Sequence, residues 1–247
     1  MNFDNQIALV TGGASGMGKA CAEYLHQRGM KVVIWDKQEN SNSDAALFVT
    51  CDVTSEESVE SAMKETIAQV GTPRVCINCA GIAPAKRIVG KEGAMPLSAF
   101  KQVIDVNLIG TFNVMRVAAH AMSVLELESK SQERGVIINT ASIAAFEGQI
   151  GQAAYSASKG GIVSMTLPAA RELARFAIRV NTIAPGLFAT PLLLNMPQEV
   201  QDNLAATITF PQRFGKPDEF ASLVSQIIEN GMLNGAVIRL DGALRMQ

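Results

Sequence analysis

Three features of the chain predict a single-domain α/β fold of the Rossmann type: a doubly wound, mainly parallel seven-stranded sheet with helices on both faces. A glycine-rich turn, Thr11-Gly12-Gly13-Ala14-Ser15-Gly16-Met17-Gly18, follows the first apolar strand and opens the first helix. A second apolar strand, Lys31-Val32-Val33-Ile34-Trp35, runs directly into Asp36. From there apolar strands alternate with helical stretches to the C-terminus, the pattern of a parallel sheet whose right-handed crossovers are helices.

Taken in order, Gln6-Ile7-Ala8-Leu9-Val10 reads as a buried strand, and Lys19-Ala20-Cys21-Ala22-Glu23-Tyr24-Leu25 as the start of a helix. Strands are expected near residues 6–11, 31–36, 47–51, 74–78, 135–140, 179–183 and 236–240, with helices in the gaps. The chain has 247 residues, 48% of them hydrophobic, enough for one large core. It shows no internal repeat, proline-rich linker or low-complexity run, so residues 1–247 are assigned to one domain. An apolar excursion at 188–212, including Pro191-Leu192-Leu193-Leu194-Asn195-Met196-Pro197, has two readings. It is a lid over a substrate, or it packs against the sheet or a neighbouring subunit.

The strand-to-helix turn is the context in which glycines carry function. Gly12, Gly16 and Gly18 let the backbone turn and approach a pyrophosphate, whose charge meets the amides and dipole of the helix N-terminus. Asp36 stands where a carboxylate accepts hydrogen bonds from a ribose hydroxyl and repels a 2′-phosphate, so the expected coenzyme is NAD. Lys37, next in the chain, pulls the other way, and a helix cap or solvated loop charge is the competing reading of Asp36. In such sheets ligands bind beyond the carboxyl ends of the strands. Asn78-Cys79-Ala80-Gly81 ends the fourth strand and Pro185-Gly186 the sixth, so both are expected to line the cleft. Asp52-Val53 closes the third, where a carboxylate and an amide can meet an adenine.

Tyr155 and Lys159 are four apart and share a helix face. An ammonium about 4 Å from a phenol favours phenolate by up to about 4 kcal/mol at an effective dielectric of about 20, roughly three pK units. That predicts a Tyr155 tuned for general acid or base catalysis, with Ser142, at the end of the fifth strand, orienting a carbonyl or alcohol oxygen. The competing reading, an amphipathic helix carrying a tyrosine and a lysine, is weakened by the glycine loop, Asp36, Asn107 and Ser142 in the same chain.

Other classes are set aside. With 21 basic and 23 acidic residues and a net charge of −2, no nucleic acid partner is expected. No apolar run reaches membrane-spanning length, and Met1-Asn2-Phe3-Asp4-Asn5 leads straight into the first strand, so a cytoplasmic protein without membrane attachment is expected. Cys76 and Cys79 have redox or zinc spacing, but on a strand residues three apart point to opposite faces. Cys21 and Cys51 are read as small core residues. His26 and His120 have no second ligand at metal spacing, and no metal is expected. Ser142 lacks a nucleophile elbow and a histidine partner, which argues against a serine hydrolase.

These motifs together resemble the short-chain dehydrogenase/reductase family over essentially the whole chain. Thr11 to Gly18 is similar to its cofactor loop, Asn78 to Gly81 to its fourth-strand signature, and Tyr155 with Lys159 to its catalytic pair. Asn107, in Asp105-Val106-Asn107-Leu108-Ile109-Gly110, is similar to the family's helical asparagine, which the resemblance implies supports a proton relay through Lys159. Cys79 departs from the commoner pattern, which has a second asparagine there. The stretches 144–155, 183–188 and 239–247 narrow the resemblance to members that oxidise 3-hydroxyacyl-CoA with NAD.

By position, the resemblance implies that Ser15, Met17, Asp36, Asp52, Val53, Cys79, Tyr155, Lys159 and Phe188 line the coenzyme site. It also implies substrate contacts at Ser142, Gln149, Gln152, Tyr155 and Leu192 and a homotetrameric assembly. Thr190 either touches the nicotinamide amide or caps the helix that begins at Pro191. Lys86 to Gly93 forms a second excursion whose basic residues meet a CoA phosphate or are simply solvated. The expected substrate is an acyl-CoA or another small secondary alcohol or ketone. A carrier-protein-linked 3-oxoacyl reductase using NADPH and a non-catalytic NAD(H)-binding scaffold are the alternatives.

Overall fold

The computed structural model describes residues 1, 3–38 and 46–246. Seven parallel strands form one sheet: β1 Ile7–Thr11, β2 Lys31–Asp36, β3 Ala46–Thr50, β4 Val75–Asn78, β5 Gly135–Thr140, β6 Ile178–Pro185 and β7 Val237–Leu240. Their spatial order, 3-2-1-4-5-6-7, reverses direction between β1 and β4. The crevice at that reversal is where a doubly wound sheet receives ligands. All seven expected strands are present, and only their ends move.

Alternation along each strand builds the core in two layers. Ala8 and Val10 of β1, Val75 and Ile77 of β4, and Val136 and Ile138 of β5 face α1 (Gly16–Gln27) and α8 (Pro217–Glu229). Leu9, Cys76 and Ile137, one residue out of phase, face α2 (Glu56–Gln69), α4 (Gly110–Ser123) and α5 (Ala153–Leu173). The inner strands β2, β1, β4, β5 and β6 are buried on both faces along most of their length, which explains why the sequence shows them as continuous apolar runs. Cys76 lies in the second layer while Cys79 packs against the first, as the strand period requires.

Four features position the site. The helix preceding α4, α3 (Leu97–Ile104), passes through a single π-helical turn, Asp105–Ile109, before α4 begins. Such turns commonly mark functional positions. Ile143–Ala145 forms a short 3-10 turn straight after β5 and Ser142. The 188–212 excursion contains α6 (Pro191–Leu194) and α7 (Gln198–Ala206). A two-residue antiparallel pair, Val89–Gly90 with Gly93–Ala94, closes the other excursion.

Candidate active site

The glycine loop is built as its chemistry demands. Gly12 has φ +65°, and a Cβ there would lie 2.8 Å from the backbone of Ala80; at Gly18 one would meet the Gly12 carbonyl oxygen at 2.3 Å. These positions therefore tolerate no side chain. Ser15 caps α1 with extended backbone and no side-chain capping bond. The first turn of α1 holds no acid, whereas α2 opens on Glu56 and Glu57 and α8 on Asp218 and Glu219. The α1 terminus thus keeps its positive end open to an anion.

Around this loop the strand ends converge. The Asp36 carboxylate accepts a hydrogen bond from the Ala14 amide at 3.2 Å, placing it against the loop. Thr11 holds β4: its hydroxyl accepts from the Ala80 amide at 3.2 Å and its carbonyl from the Cys79 amide, also at 3.2 Å. The Asn78 side chain donates to Asn139 at 2.9 Å, so it serves the sheet beneath the cleft. Lys37 pairs with Asp52 at 2.8 Å, and the same carboxylate accepts from the Thr54 amide and hydroxyl. Val53 is buried against Gly110, and its carbonyl accepts from Asn113.

The catalytic candidates meet as expected, with one electrostatic difference. Ser142 stands beside the Tyr155 phenol and acts on its ionisation, and the Ser142 oxygen accepts from the Ala144 amide at 3.1 Å, which fixes its direction. Lys159 stands 5.8 Å from the centre of the Tyr155 ring. Its ammonium donates to the Thr140 carbonyl at 2.7 Å instead of to the phenol. Burial pushes the Tyr155 phenol above its ordinary value, the Ser142 bond only partly opposing this. Burial likewise pulls Lys159 down to about 8. The shift runs opposite to the one expected from Lys159, because desolvation of the buried phenol is its largest cause.

Asn107 sits in the π-helical turn and is fully engaged. Its oxygen accepts from the Ile82 amide at 2.8 Å, and its amide donates to the Ile82 carbonyl at 2.9 Å and to Ser158 at 3.0 Å. A Cβ at Gly81 would lie 3.2 Å from the Asn107 oxygen and 3.6 Å from the Lys159 ammonium, so these three residues converge. The neighbouring Cys21 thiol, with help from Thr140 and Lys159, holds the Cys79 pKa below the ordinary thiol value against the opposing effect of burial.

On the β6 side, Gly186 closes against Asp241, where a Cβ would come within 2.9 Å. The Phe188 ring turns into the core, edge-on to Phe220 at 6.3 Å and pressed on Gly215, so only its backbone is left for the cleft. Thr190 makes no side-chain capping bond, and its methyl lies over the glycine loop, 3.6 Å from a Cβ built at Gly16. That geometry answers the two readings of Thr190 against the cap. Gln149 and Gln152 are joined, the Gln149 amide donating to the Gln152 side chain at 2.9 Å just before α5. An open cavity of about 550 Å³ flanks this loop, walled by Lys86, Arg87, Phe146, Gln149, Ile150 and Ser156. The expected contact of Leu192 falls on a side chain outside the described residues.

Sequence reasoning missed the joining of Lys37 to Asp52 and the tail contacts described below. Neither has a short-range signature, because both join residues far apart in the chain.

Fold and cleft together define a nucleotide-dependent oxidoreductase of the doubly wound class. The sequence profile of the short chain dehydrogenase family matches residues 6–201, and the chain belongs to that family. It therefore uses a nicotinamide coenzyme on a small-molecule substrate. Curated proteins named 3-hydroxyacyl-CoA dehydrogenase type-2 are 54% identical in Bos taurus and 53% identical in Homo sapiens. Each covers 98% of this chain and 95% of its own length. The crystal structure of 3-hydroxyacyl-CoA dehydrogenase type-2 from Mycobacterium avium superposes with a TM-score of 0.93 at 42% identity, over 99% of this chain and 98% of that one. Among the described residues no helix is long and apolar enough to cross a membrane, and no group of three or more His, Cys, Asp or Glu stands together.

Proposed function

We propose that the protein is an NAD-dependent dehydrogenase that interconverts 3-hydroxyacyl-CoA and 3-oxoacyl-CoA. The observation that carries this reading is the 54% identity to a protein of that name across nearly the full chain, in a molecule that keeps the whole Ser142, Tyr155 and Lys159 cluster. The residues present fit a dinucleotide: Gly12 and Gly18 exclude side chains, α1 offers free amides, and Asp36 faces the loop. When bound, the nicotinamide accepts or supplies the hydride at the carbinol carbon.

This chain's own residues do the rest. Asp36 receives the ribose hydroxyls and repels a 2′-phosphate, which selects NAD. Gly16, Ser15 and Met17 hold the pyrophosphate, while Ala80, Gly81, Pro185 and the Phe188 backbone wall the nicotinamide end. Ser142 orients the substrate oxygen. In reduction Tyr155, protonated at neutral pH by its raised pKa, gives its proton to that oxygen; in oxidation it must first be deprotonated, then takes the alcohol proton. Lys159 holds the ribose, and Asn107 fixes the floor through Ile82 and Ser158. The acyl thioester enters past Gln149 and Gln152, with the 188–212 segment as its lid. Homotetramer assembly belongs to the same reading, supported by exposed apolar Ile109 and Phe112 near the start of α4 and Leu167 on α5.

Purified protein assayed with acetoacetyl-CoA should oxidise NADH well and NADPH poorly. Preference for NADPH with a carrier-protein thioester would replace this reading by the reductase one, and coenzyme binding without turnover on any ketone would replace it by a scaffold.

A further inference from the structure

The last described residues, 241–246, run beside the cleft and bind three segments that form it. Arg239, on β7, grips the Glu147 carboxylate through both terminal nitrogens, at 2.9 and 3.0 Å, and its Nε donates to Asp241 at 2.6 Å. Arg245 reaches the same two carboxylates at 3.4 and 3.2 Å, and the Met246 amide also donates to Glu147. The Arg239 guanidinium lies 5.4 Å from the centre of the Phe146 ring. The network is thereby fixed to the loop that runs from Ser142 to Gln149.

The same tail holds the far end of the 188–212 segment. Leu244 packs with Ile143, the residue after Ser142, and with Ile208, while Leu187, Phe214 and Met246 pack around them. The Phe210 amide donates to the Gly242 carbonyl at 3.1 Å, and the Thr209 hydroxyl to the Ala243 carbonyl at 3.2 Å. A bidentate guanidinium–carboxylate pair fixes both distance and angle, which a single ion pair does not. A network also spreads the cost of ordering its side chains, unlike an isolated surface pair. Three cleft walls, the serine loop, the Gly186 strand end and the end of the excursion, therefore share one anchor.

We propose that Glu147 and Arg239 are positioning residues whose clamp, completed by Asp241 and Arg245, holds Ser142 and Gln149 in register with the fixed end of the 188–212 segment. This rests on the dehydrogenase reading above. The clamp acts on where the substrate oxygen is held, since a displacement near 1 Å costs about 100-fold in rate. The dinucleotide half, built on Gly12 to Gly18 and Asp36, is outside its reach.

The test compares wild type with Glu147→Gln and with Arg239→Lys, which keeps the charge but loses the fork. Three quantities are read on each: kcat for acetoacetyl-CoA reduction, the Kd for NADH, and hydrogen exchange by mass spectrometry. The expected result is a kcat about tenfold to 100-fold lower, an NADH Kd within about twofold of wild type, and faster exchange in 143–152 and 207–214 together. Wild-type kcat in folded variants, exchange rising in one segment alone, or exchange rising evenly throughout the chain would overturn the proposal. Should wild type reduce no acyl-CoA, the functional reading fails, while the paired exchange response still decides the clamp. If one substitution prevents folding, the other carries the test.

Discussion

Lys159 stands within 5.8 Å of the Tyr155 ring, yet spends its hydrogen bond on the Thr140 carbonyl at 2.7 Å. Ser142, beside the phenol, is the side chain that opposes part of its upward shift. Burial acts on both ionisable groups in the same sense, toward the neutral phenol and the neutral amine. The resting cleft accordingly holds Tyr155 as a proton donor at neutral pH, so the rates in the two directions depend on pH in opposite senses.

Replacing Tyr155 by Phe removes the proton donor while leaving the ring in place. Turnover should fall by at least about 10²- to 10⁴-fold, the range for general acid–base groups. NADH affinity, measured by fluorescence titration, should stay within about twofold. In the wild-type enzyme, oxidation should speed up as pH rises, because the raised phenol must lose its proton first, whereas reduction should be favoured at and below neutrality. An oxidation rate that is flat between pH 6 and about 9 would contradict the assigned role of the phenol.

Lys159 predicts a stability effect with a defined sign. Its folded value, about 8, lies below the ordinary 10.5, so between those pH values the unfolded chain binds more protons than the folded one. Stability from this group is therefore present above about pH 10.5 and is lost as pH falls through about 8. The gap of roughly 2.5 units corresponds to about 3 kcal/mol. Urea unfolding of coenzyme-free wild type and Lys159→Met across this window should show the difference between them shifting by that order. Parallel curves would mean the amine is solvated.

Coenzyme choice should be controlled at two strand ends. Asp36 faces the loop amide of Ala14, and Lys37 is occupied by Asp52 at 2.8 Å, so no free cation adjoins the ribose position from this pair. Asp36→Asn should lower the NADH:NADPH ratio of kcat/KM by at least about tenfold, since one lost repulsion of about 1.4 kcal/mol suffices. Adding Asp52→Asn frees Lys37 and should lower it further. An unchanged ratio in the double variant would place discrimination elsewhere.

The legibility of this site in the sequence follows from range. The inner strands showed as apolar runs because they are buried on both faces, and the glycine loop showed because Gly12 and Gly18 have no room for a Cβ. Tyr155 and Lys159 showed because one helix turn joins them. The sign of the Tyr155 shift did not, because it depends on how completely the surrounding fold excludes water. The inward turn of Phe188 was equally hidden, being set by Phe220 and Gly215 from a different part of the chain. The Glu147 to Arg239 clamp spans 92 positions and left no local trace.

At the opposite end of β6 from the cleft, Arg179 joins Glu133 at 2.8 Å, with their side chains only 6% and 11% exposed. The guanidinium also donates to the carbonyls of Ile227, Leu233 and Ile228, which ties α8 and the turn after it to the sheet. Arg179→Met should cost about 3–5 kcal/mol, because it strands a buried carboxylate and leaves those carbonyls without their donor. Replacing Glu133 by Gln as well should recover part of the loss, since the unpaired charge is then gone. Because the pair lies at the far end of the strand from Gly186, kcat of the folded fraction at low temperature should match wild type in both variants. Chemical denaturation and rate measurement on the same samples check this: an undiminished stability would show the pair to be solvated, and a lowered kcat in fully folded protein would show that the base of β6 is coupled to the cleft at its tip.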